Sequence, residues 1–241
     1  MDATSKTTKW TKGRALLAGG LVLGFGAAAT LAAWTDDEWV FGGSGSGNGN
    51  EPGTPGTGIY RMQQNTWTGT TEPASWSDQP NANGGALTFT MRPDRLVPGK
   101  TVYAPMQLRT VAGSEALTVS LAEGIQAAVD PAVDPAISAR YNSTELYNAL
   151  TYDVFVGVDK EDCETGAVSA GTSLFDAALK PNIPLTTKGD KTFDLAAGTA
   201  ATPGEAANLC FALTLPLSTD DENLQGLNTV PAWRFTSSVE Q

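Results

Sequence analysis

The chain has 241 residues, with 15 Lys or Arg, 26 Asp or Glu and no histidine, so its formal net charge is −11 at pH 7. The absence of histidine excludes zinc hydrolases of the HExxH type and Ser-His-Asp hydrolases, because both mechanisms need an imidazole. A surface this acidic repels nucleic acid and anionic lipid, so we expect neither as a partner.

Residues 1–32 have the order of a secretory signal peptide. The basic leader contains Lys6, Lys9, Lys12 and Arg14. An uncharged apolar run, residues 15–33, follows and ends in small residues, of which Thr30-Leu31-Ala32 suit a signal peptidase. A retained membrane anchor is the alternative, since 19 apolar residues nearly span a bilayer. The many Gly and Ala residues in this run favour cleavage. Without residues 1–32, 11 basic and 25 acidic residues remain, a formal charge of −14.

The next two stretches differ sharply in composition. Residues 33–41 end in Trp39-Val40-Phe41, which are aromatic and β-branched and therefore favour a strand. Residues 42–58 are almost entirely Gly, Ser, Asn, Pro and Thr, which predicts a flexible linker with ends about 23 Å apart. The sequence therefore predicts a strand segment tethered to a domain that spans residues 59–241.

The domain contains short runs rich in strand formers and bounded by turn residues. We predict strands at residues 86–91, 101–111, 116–121, 150–156, 209–215 and 232–236. Pro98-Gly99 predicts a type II turn, and Gly113-Ser114 predicts a hairpin between the second and third strands. Many short strands without a βαβ rhythm indicate an all-β fold, an antiparallel β-sandwich.

Short helices and loops are expected in the connections of this sandwich. Residues 143–150 and 172–179 carry helix formers behind a hydroxyl N-cap residue. Residues 127–136 hold two Val-Asp-Pro repeats, which predict a loop because proline disfavours helix in the residue before it. Cys163 and Cys210 are the only cysteines and most simply form a disulfide; a two-cysteine metal site is the weaker alternative.

No pattern of residues indicates catalysis, and we predict neither enzymatic activity nor a cofactor. The acidic runs at residues 159–164 and 220–222 lack the spacing of an EF-hand, so we interpret them as solvated loops rather than calcium sites. Trp67 and Trp76 are candidates for stacking on sugars, although packing is the commoner role of a tryptophan in a sandwich. Asn142-Ser143-Thr144 matches the N-glycosylation acceptor pattern.

Three stretches together resemble the SipW-dependent exported proteins, the family of TasA and camelysin, in its actinobacterial form. They are Gly19-Gly20-Leu21 with Thr30 to Glu38, Leu96-Val97-Pro98-Gly99-Lys100, and residues 209–216 followed by Asn223-Leu224-Gln225-Gly226 and Trp233-Arg234-Phe235-Thr236. The resemblance implies cleavage between Ala32 and Ala33 by a SipW-type signal peptidase, with membrane contact during export only. It also implies a jelly-roll sandwich at the cell surface that assembles into matrix fibres, alone or with related subunits.

In such fibres the mature N-terminus adds as a strand to the next subunit. The resemblance thereby assigns the donor strand to Trp34, Trp39, Val40 and Phe41, which agrees with the tethered strand predicted above. The long linker departs from short-tethered members and would equally let the segment fold back on its own domain. The leading hypothesis is a secreted fibre subunit. The alternative is a monomeric cell-surface adhesin or carbohydrate-binding module.

Overall fold

The fold is that of a computed structural model, which describes residues 58–67, 75–80, 85–90, 93–127, 141–219 and 222–239. These residues belong to one compact unit, Gly58–Gln241. The predicted signal peptide, the donor strand and residues 42–57 of the linker lie outside the described residues. The same is true of residues 128–136 of the predicted proline-containing loop.

The described strands form antiparallel sheets. In chain order they are β1 (Met62–Asn65), β2 (Trp76–Ser77), β3 (Lys100–Thr110), β4 (Leu117–Leu121), β5 (Ile125–Gln126), β6 (Thr151–Val156), β7 (Thr172–Ser173), β8 (Thr192–Leu195), β9 (Ala207–Leu215), β10 (Pro231–Ala232) and β11 (Phe235–Ser238). A six-stranded sheet has the order β2-β1-β3-β9-β6-β7, a three-stranded sheet has the order β11-β4-β8, and β5 pairs with β10. The predicted all-β sandwich is confirmed.

The core lies between the two larger sheets and follows from the period-2 pattern of the strands. Alternate residues of β3, β9 and β4 are buried and belong to one apolar cluster: Val102, Ala104, Met106 and Leu108; Leu209, Phe211, Leu213 and Leu215; and Leu117, Val119 and Leu121. The intervening residues of β3 and β9 lie on the opposite face of the six-stranded sheet, which we call the outer face.

The predicted hairpin across Gly113-Ser114 is wrong. Strand β3 pairs with β1 and β9 in the six-stranded sheet, whereas β4 pairs with β11 and β8 in the other sheet. A turn does occur, because the Ser114 N–H donates to the Val111 carbonyl and Gly113 has a φ of 76°. Both edges of β3 are already paired, so the turn carries the chain across the core instead of folding it back.

The two predicted helices have different outcomes. Helix α1 (Thr144–Ala149) is confirmed, and the Ser143 hydroxyl accepts a hydrogen bond from the Leu146 N–H at 3.1 Å. The helix predicted at residues 172–179 is wrong, because residues 172–173 form β7 and only 177–179 form a 3-10 turn. The Ser173 hydroxyl accepts from the Phe175 N–H and caps a bend that buries Phe175 in the core.

The remaining local predictions concern one turn and one strand. The Pro98-Gly99 turn is confirmed: the Lys100 N–H donates to the Val97 carbonyl at 3.0 Å, and Gly99 has a φ of 78°. No strand forms over residues 86–90, where the Thr90 N–H makes one hydrogen bond, to the Tyr103 carbonyl. This stretch instead packs its apolar side chains against the core.

A short helix lies on the outer face, where the sequence predicted a solvated acidic loop. Helix α2 (Lys160–Thr165) contains an i,i+4 ion pair between Lys160 and Glu164 at 3.0 Å and ends at Gly166 in the left-handed conformation. The predicted disulfide is confirmed: Cys163 of α2 is bonded to Cys210 of β9, and both residues are fully buried. It fixes the helix to the centre of the sheet.

Candidate functional site: a groove between the sheets

An open groove of about 1620 Å³ lies against the inner face of the six-stranded sheet. Its floor comes from β1, β3 and β9, and its walls come from residues 85–89, 93–98 and 224–235. Because those walls contain β10 and the first residue of β11, the groove runs beside the edge of the three-stranded sheet. Strand β11 pairs with β4 only, so its other edge has no strand partner among the described residues.

The groove lining divides into a buried floor and an exposed apolar rim. Met106 and Leu215, on the floor, are 3% and 4% exposed and belong to the core. Val97, Ile125 and Val230, at the rim, are about half exposed, at 51%, 50% and 51%. Apolar side chains this exposed around a cleft are typical of a surface that binds another apolar partner.

The aromatic part of one wall is rigidly packed. The Trp233 ring lies 4.9 Å from the Phe211 ring and 5.8 Å from the Tyr152 ring, centroid to centroid. Its indole N–H is buried and has no hydrogen-bond partner within the described part of the chain. Phe235, which follows two residues later, packs edge-on against Phe211. These contacts fix the chain on both sides of Arg234.

Few charged side chains line the groove, and most of them face an opposite charge. Asp78 pairs with Arg61 at 2.6 Å, and Arg95 approaches Asp94 at 3.8 Å. Glu123 and Arg234 also line the groove and make no ion pair with any other described residue. Among the described residues, Arg234 is therefore an exposed cation without an ion-pair partner, in a chain with a large excess of acids.

The outer face holds the two tryptophans that the sequence singled out. Lys160 places its ammonium nitrogen 5.5 Å from the Trp67 ring centroid, and Arg109 places its guanidinium carbon 3.8 Å from the Trp76 ring centroid. Both rings are half-buried. A ring with a cation against one face is a packed ring, so this arrangement resembles a sheet cap more than an open sugar platform.

A row of amides crosses the outer face beneath these rings. Asn65 donates to Gln107 at 3.1 Å, Gln107 donates to Asn208 at 2.8 Å, and Asn208 donates to Asp159 at 2.6 Å. The Asn65 side chain also accepts from the Trp67 N–H at 2.9 Å, which stabilises the positive φ of Trp67, 53°. The row ties β1, β3, β9 and the start of α2 together.

The glycosylation-like motif at Asn142 has a structural role in this fold. The Asn142 amide donates to the Ala127 carbonyl and accepts from the Val230 N–H, at 2.8 and 3.0 Å, and so joins the chain around β5 and β10. The next residue, Ser143, is the N-cap of α1. Within the described residues, no group of three or more Cys, Asp or Glu side chains is arranged to hold a metal ion.

The sequence-predicted site residues thus divide into three groups. Ala32, Ala33 and the donor-strand residues Trp34, Trp39, Val40 and Phe41 lie outside the described residues. Cys163 and Cys210 are brought together. The groove residues were not predicted as a site, although Trp233-Arg234-Phe235, an arginine between two aromatic residues in an acidic chain, was one available signal.

Comparison with protein families, curated proteins and solved structures finds no match to this chain. None of the helices in the described part is long and apolar enough to cross a membrane. The buried disulfide is typical of proteins that mature in an oxidising compartment. What is established is therefore a disulfide-linked all-β sandwich with an open groove beside a strand edge that has no strand partner among the described residues.

Proposed function

We propose that this chain is a secreted structural protein whose copies assemble into cell-surface or matrix fibres. Residues 33–41 of one copy add as a strand to the next copy. The groove between the sheets carries this proposal, because it combines an apolar lining with an edge strand, β11, that is free to pair among the described residues. A strand placed there would satisfy the open backbone groups of that edge and bury its own apolar side chains.

The sequence of the chain supports the same role. Residues 33–41 hold Trp34, Trp39 and Phe41 next to a Gly-rich tether, which gives this apolar segment the reach to pair with a second copy. The signal-like residues 1–32 and the disulfide agree with export to an oxidising environment. The role is structural, so the protein acts through assembly with itself or with related subunits and not through catalysis.

Electron microscopy and light scattering on two chains test the proposal. A chain that begins at Ala33 is expected to form fibres, whereas one that begins at Ile59 is expected to remain monomeric, because it lacks the strand donor. Fibres from both chains would show that residues 33–58 are not the joint. Monomers from both would contradict the fibre role altogether.

Two substitutions within the donor segment test the same proposal without shortening the chain, which would also change its solubility. Trp39→Ser with Phe41→Ser in the chain from Ala33 is expected to abolish fibres, since each aromatic ring loses about 2 kcal/mol or more of burial. Leu217→Ser is the matched control, because Leu217 is 81% exposed and does not line the groove. Equal loss of assembly in both variants would contradict a specific strand donor.

The alternative function, an adhesin or carbohydrate-binding module, uses the outer face instead of the groove. It predicts glycan binding by the wild-type chain that is lost in a Trp67→Ala, Trp76→Ala double variant, with no effect of Trp39→Ser. Binding on a glycan array with this profile, from a chain that stays monomeric, would replace the fibre proposal.

A further inference from the structure

Arg234 is a groove residue whose charge is not accounted for by any ion pair with another described residue. Its neighbours Trp233 and Phe235 are fixed by aromatic contacts, and its own backbone carbonyl accepts from the Ala122 N–H at 2.9 Å. Arg234 is among the residues that line the groove, is exposed, and forms no ion pair with a described residue. An exposed arginine beside an apolar groove, without an ion-pair partner among the described residues, is a ready partner for a carboxylate.

Residues 33–41 supply carboxylates at a fixed distance from their aromatic anchors. In a strand, alternate side chains point to the same side, so Trp39 and Phe41 share a face with Asp37 and Thr35. In that proposed strand, Asp36, Glu38 and Trp34 would point to the other side. When Trp39 and Phe41 lie against the apolar rim, Asp37 is therefore the acid that faces the groove, about 13 Å along the strand from Phe41.

We infer that Arg234 pairs with Asp37 of a second copy of this chain and so sets the position and direction of the docked strand. The inference rests on the proposed function and names the polar contact at its joint. The apolar anchors alone do not define a direction, since Trp39 and Phe41 are two residues apart and a reversed strand would present the same two rings. A single charge pair at one end of the groove distinguishes the two orientations.

Glu123 is an acidic groove residue that opposes docking of the acidic donor segment. It is exposed, lines the same groove and has no ion-pair partner among the described residues. It follows the residue that bonds to the Arg234 carbonyl, so it lies on the neighbouring stretch of chain. The donor segment has three acids and no base, so Glu123 repels it wherever the two approach.

The test is the critical concentration for assembly of the chain from Ala33, measured by light scattering at fixed ionic strength. Arg234→Glu and Asp37→Lys are each expected to raise it roughly five- to tenfold, because an attractive pair becomes a repulsive one. The double variant, with the two charges exchanged, is expected to return close to wild type. Glu123→Gln is expected to lower it by about twofold.

Matched variants separate the pair from general charge effects. Lys188→Glu makes the same charge change at an exposed residue away from the groove and is expected to leave assembly almost unchanged. Glu38→Lys, on the opposite face of the donor, is expected not to restore Arg234→Glu. Circular dichroism checks that each variant is folded.

The possible outcomes distinguish this inference from the proposed function. If the wild type assembles and the charge exchange fails to restore assembly, or Arg234→Glu assembles normally, the pair is wrong and the fibre role stands. If the wild-type chain does not assemble at all, both are wrong. Restoration by Asp37→Lys but not by Glu38→Lys would establish the pair and its orientation.

Discussion

Two buried tyrosines in the core differ by one hydrogen bond. The Tyr152 hydroxyl donates to the Thr187 backbone carbonyl, whereas the Tyr147 hydroxyl has no partner within the described part of the chain. Both side chains are at least nineteen-twentieths buried, at 3% and 5% exposure. They are therefore a matched pair for measuring what a buried hydroxyl contributes to this fold.

Substitution by phenylalanine is expected to affect the two positions differently. Tyr152→Phe removes a hydrogen bond and leaves the Thr187 carbonyl without this donor, so the free energy of unfolding falls by about 1 kcal/mol. Tyr147→Phe removes only an unpaired polar atom and leaves stability unchanged or slightly higher. Urea unfolding at pH 7 measures both; equal losses would contradict the difference in hydrogen bonding.

The same tyrosines predict loss of stability in alkaline solution. Burial raises the pKa of both phenols above the ordinary value of 10.0, and for Tyr152 the nearby Tyr147 and Asp153 raise it further. Above pH 10 the unfolded chain releases these protons while the folded chain retains them, so stability is full below pH 10 and falls as pH rises. Tyr152→Phe is expected to reduce the loss of stability between pH 9 and 11 by about 1.4 kcal/mol in total, measured by urea unfolding.

At the scale of elements, helix α2 depends on the disulfide for its place on the sheet. The helix has six residues and is too short to be stable alone. Its buried contact with the sheet is a small apolar cluster of Val158, Cys163 and Cys210, against which Tyr103 and Phe155 pack. The disulfide therefore holds α2 on the sheet, where a longer helix would rely on a larger apolar contact.

Removal of this bond is expected to cost much of the stability of the sandwich. Cys163→Ser with Cys210→Ser opens a link across 47 residues, and the entropic model gives a loss of about 4 kcal/mol. Chemical denaturation with and without reductant measures the loss. The double variant should be insensitive to reductant, and a wild type equally insensitive would contradict the expected role of the bond.

Elements with a strong local pattern were predictable, and elements defined by distant partners were not. Strands β6 and β9 are rich in apolar residues and form nearly as predicted, and Ser143 marks the start of α1. The failed hairpin after β3 shows the limit, because a turn does not specify which sheet the next strand joins. The groove could not be predicted from the sequence for the same reason. Its rim is formed by Val97, Ile125 and Val230, which are far apart in sequence.

At the scale of the whole molecule, the charge opposes assembly. The chain from Ala33 carries 25 acidic and 11 basic residues, so copies repel one another at low ionic strength. Added salt would weaken this repulsion and also any attraction between Arg234 and Asp37. Salt dependence therefore does not identify the joint, whereas exchange of the two charges does.

Limited proteolysis is expected to divide the protein at the Gly-rich stretch. Residues 42–58 have no apolar side chain to bury, whereas residues 58–241 form a compact unit. A broad-specificity protease should leave a resistant fragment that begins close to Ile59, identified by mass spectrometry. The same digestion of assembled material should also protect residues 33–41, and their rapid loss from fibres would contradict strand exchange.

The six-stranded sheet has very short strands at both of its edges. Strands β2 and β7 each contain two residues, so neither end offers a long row of open backbone groups. Strands of neighbouring filaments would therefore have few backbone groups to pair with at these edges. If copies assemble as proposed, the edges of the six-stranded sheet would therefore contribute little to contacts between neighbouring filaments.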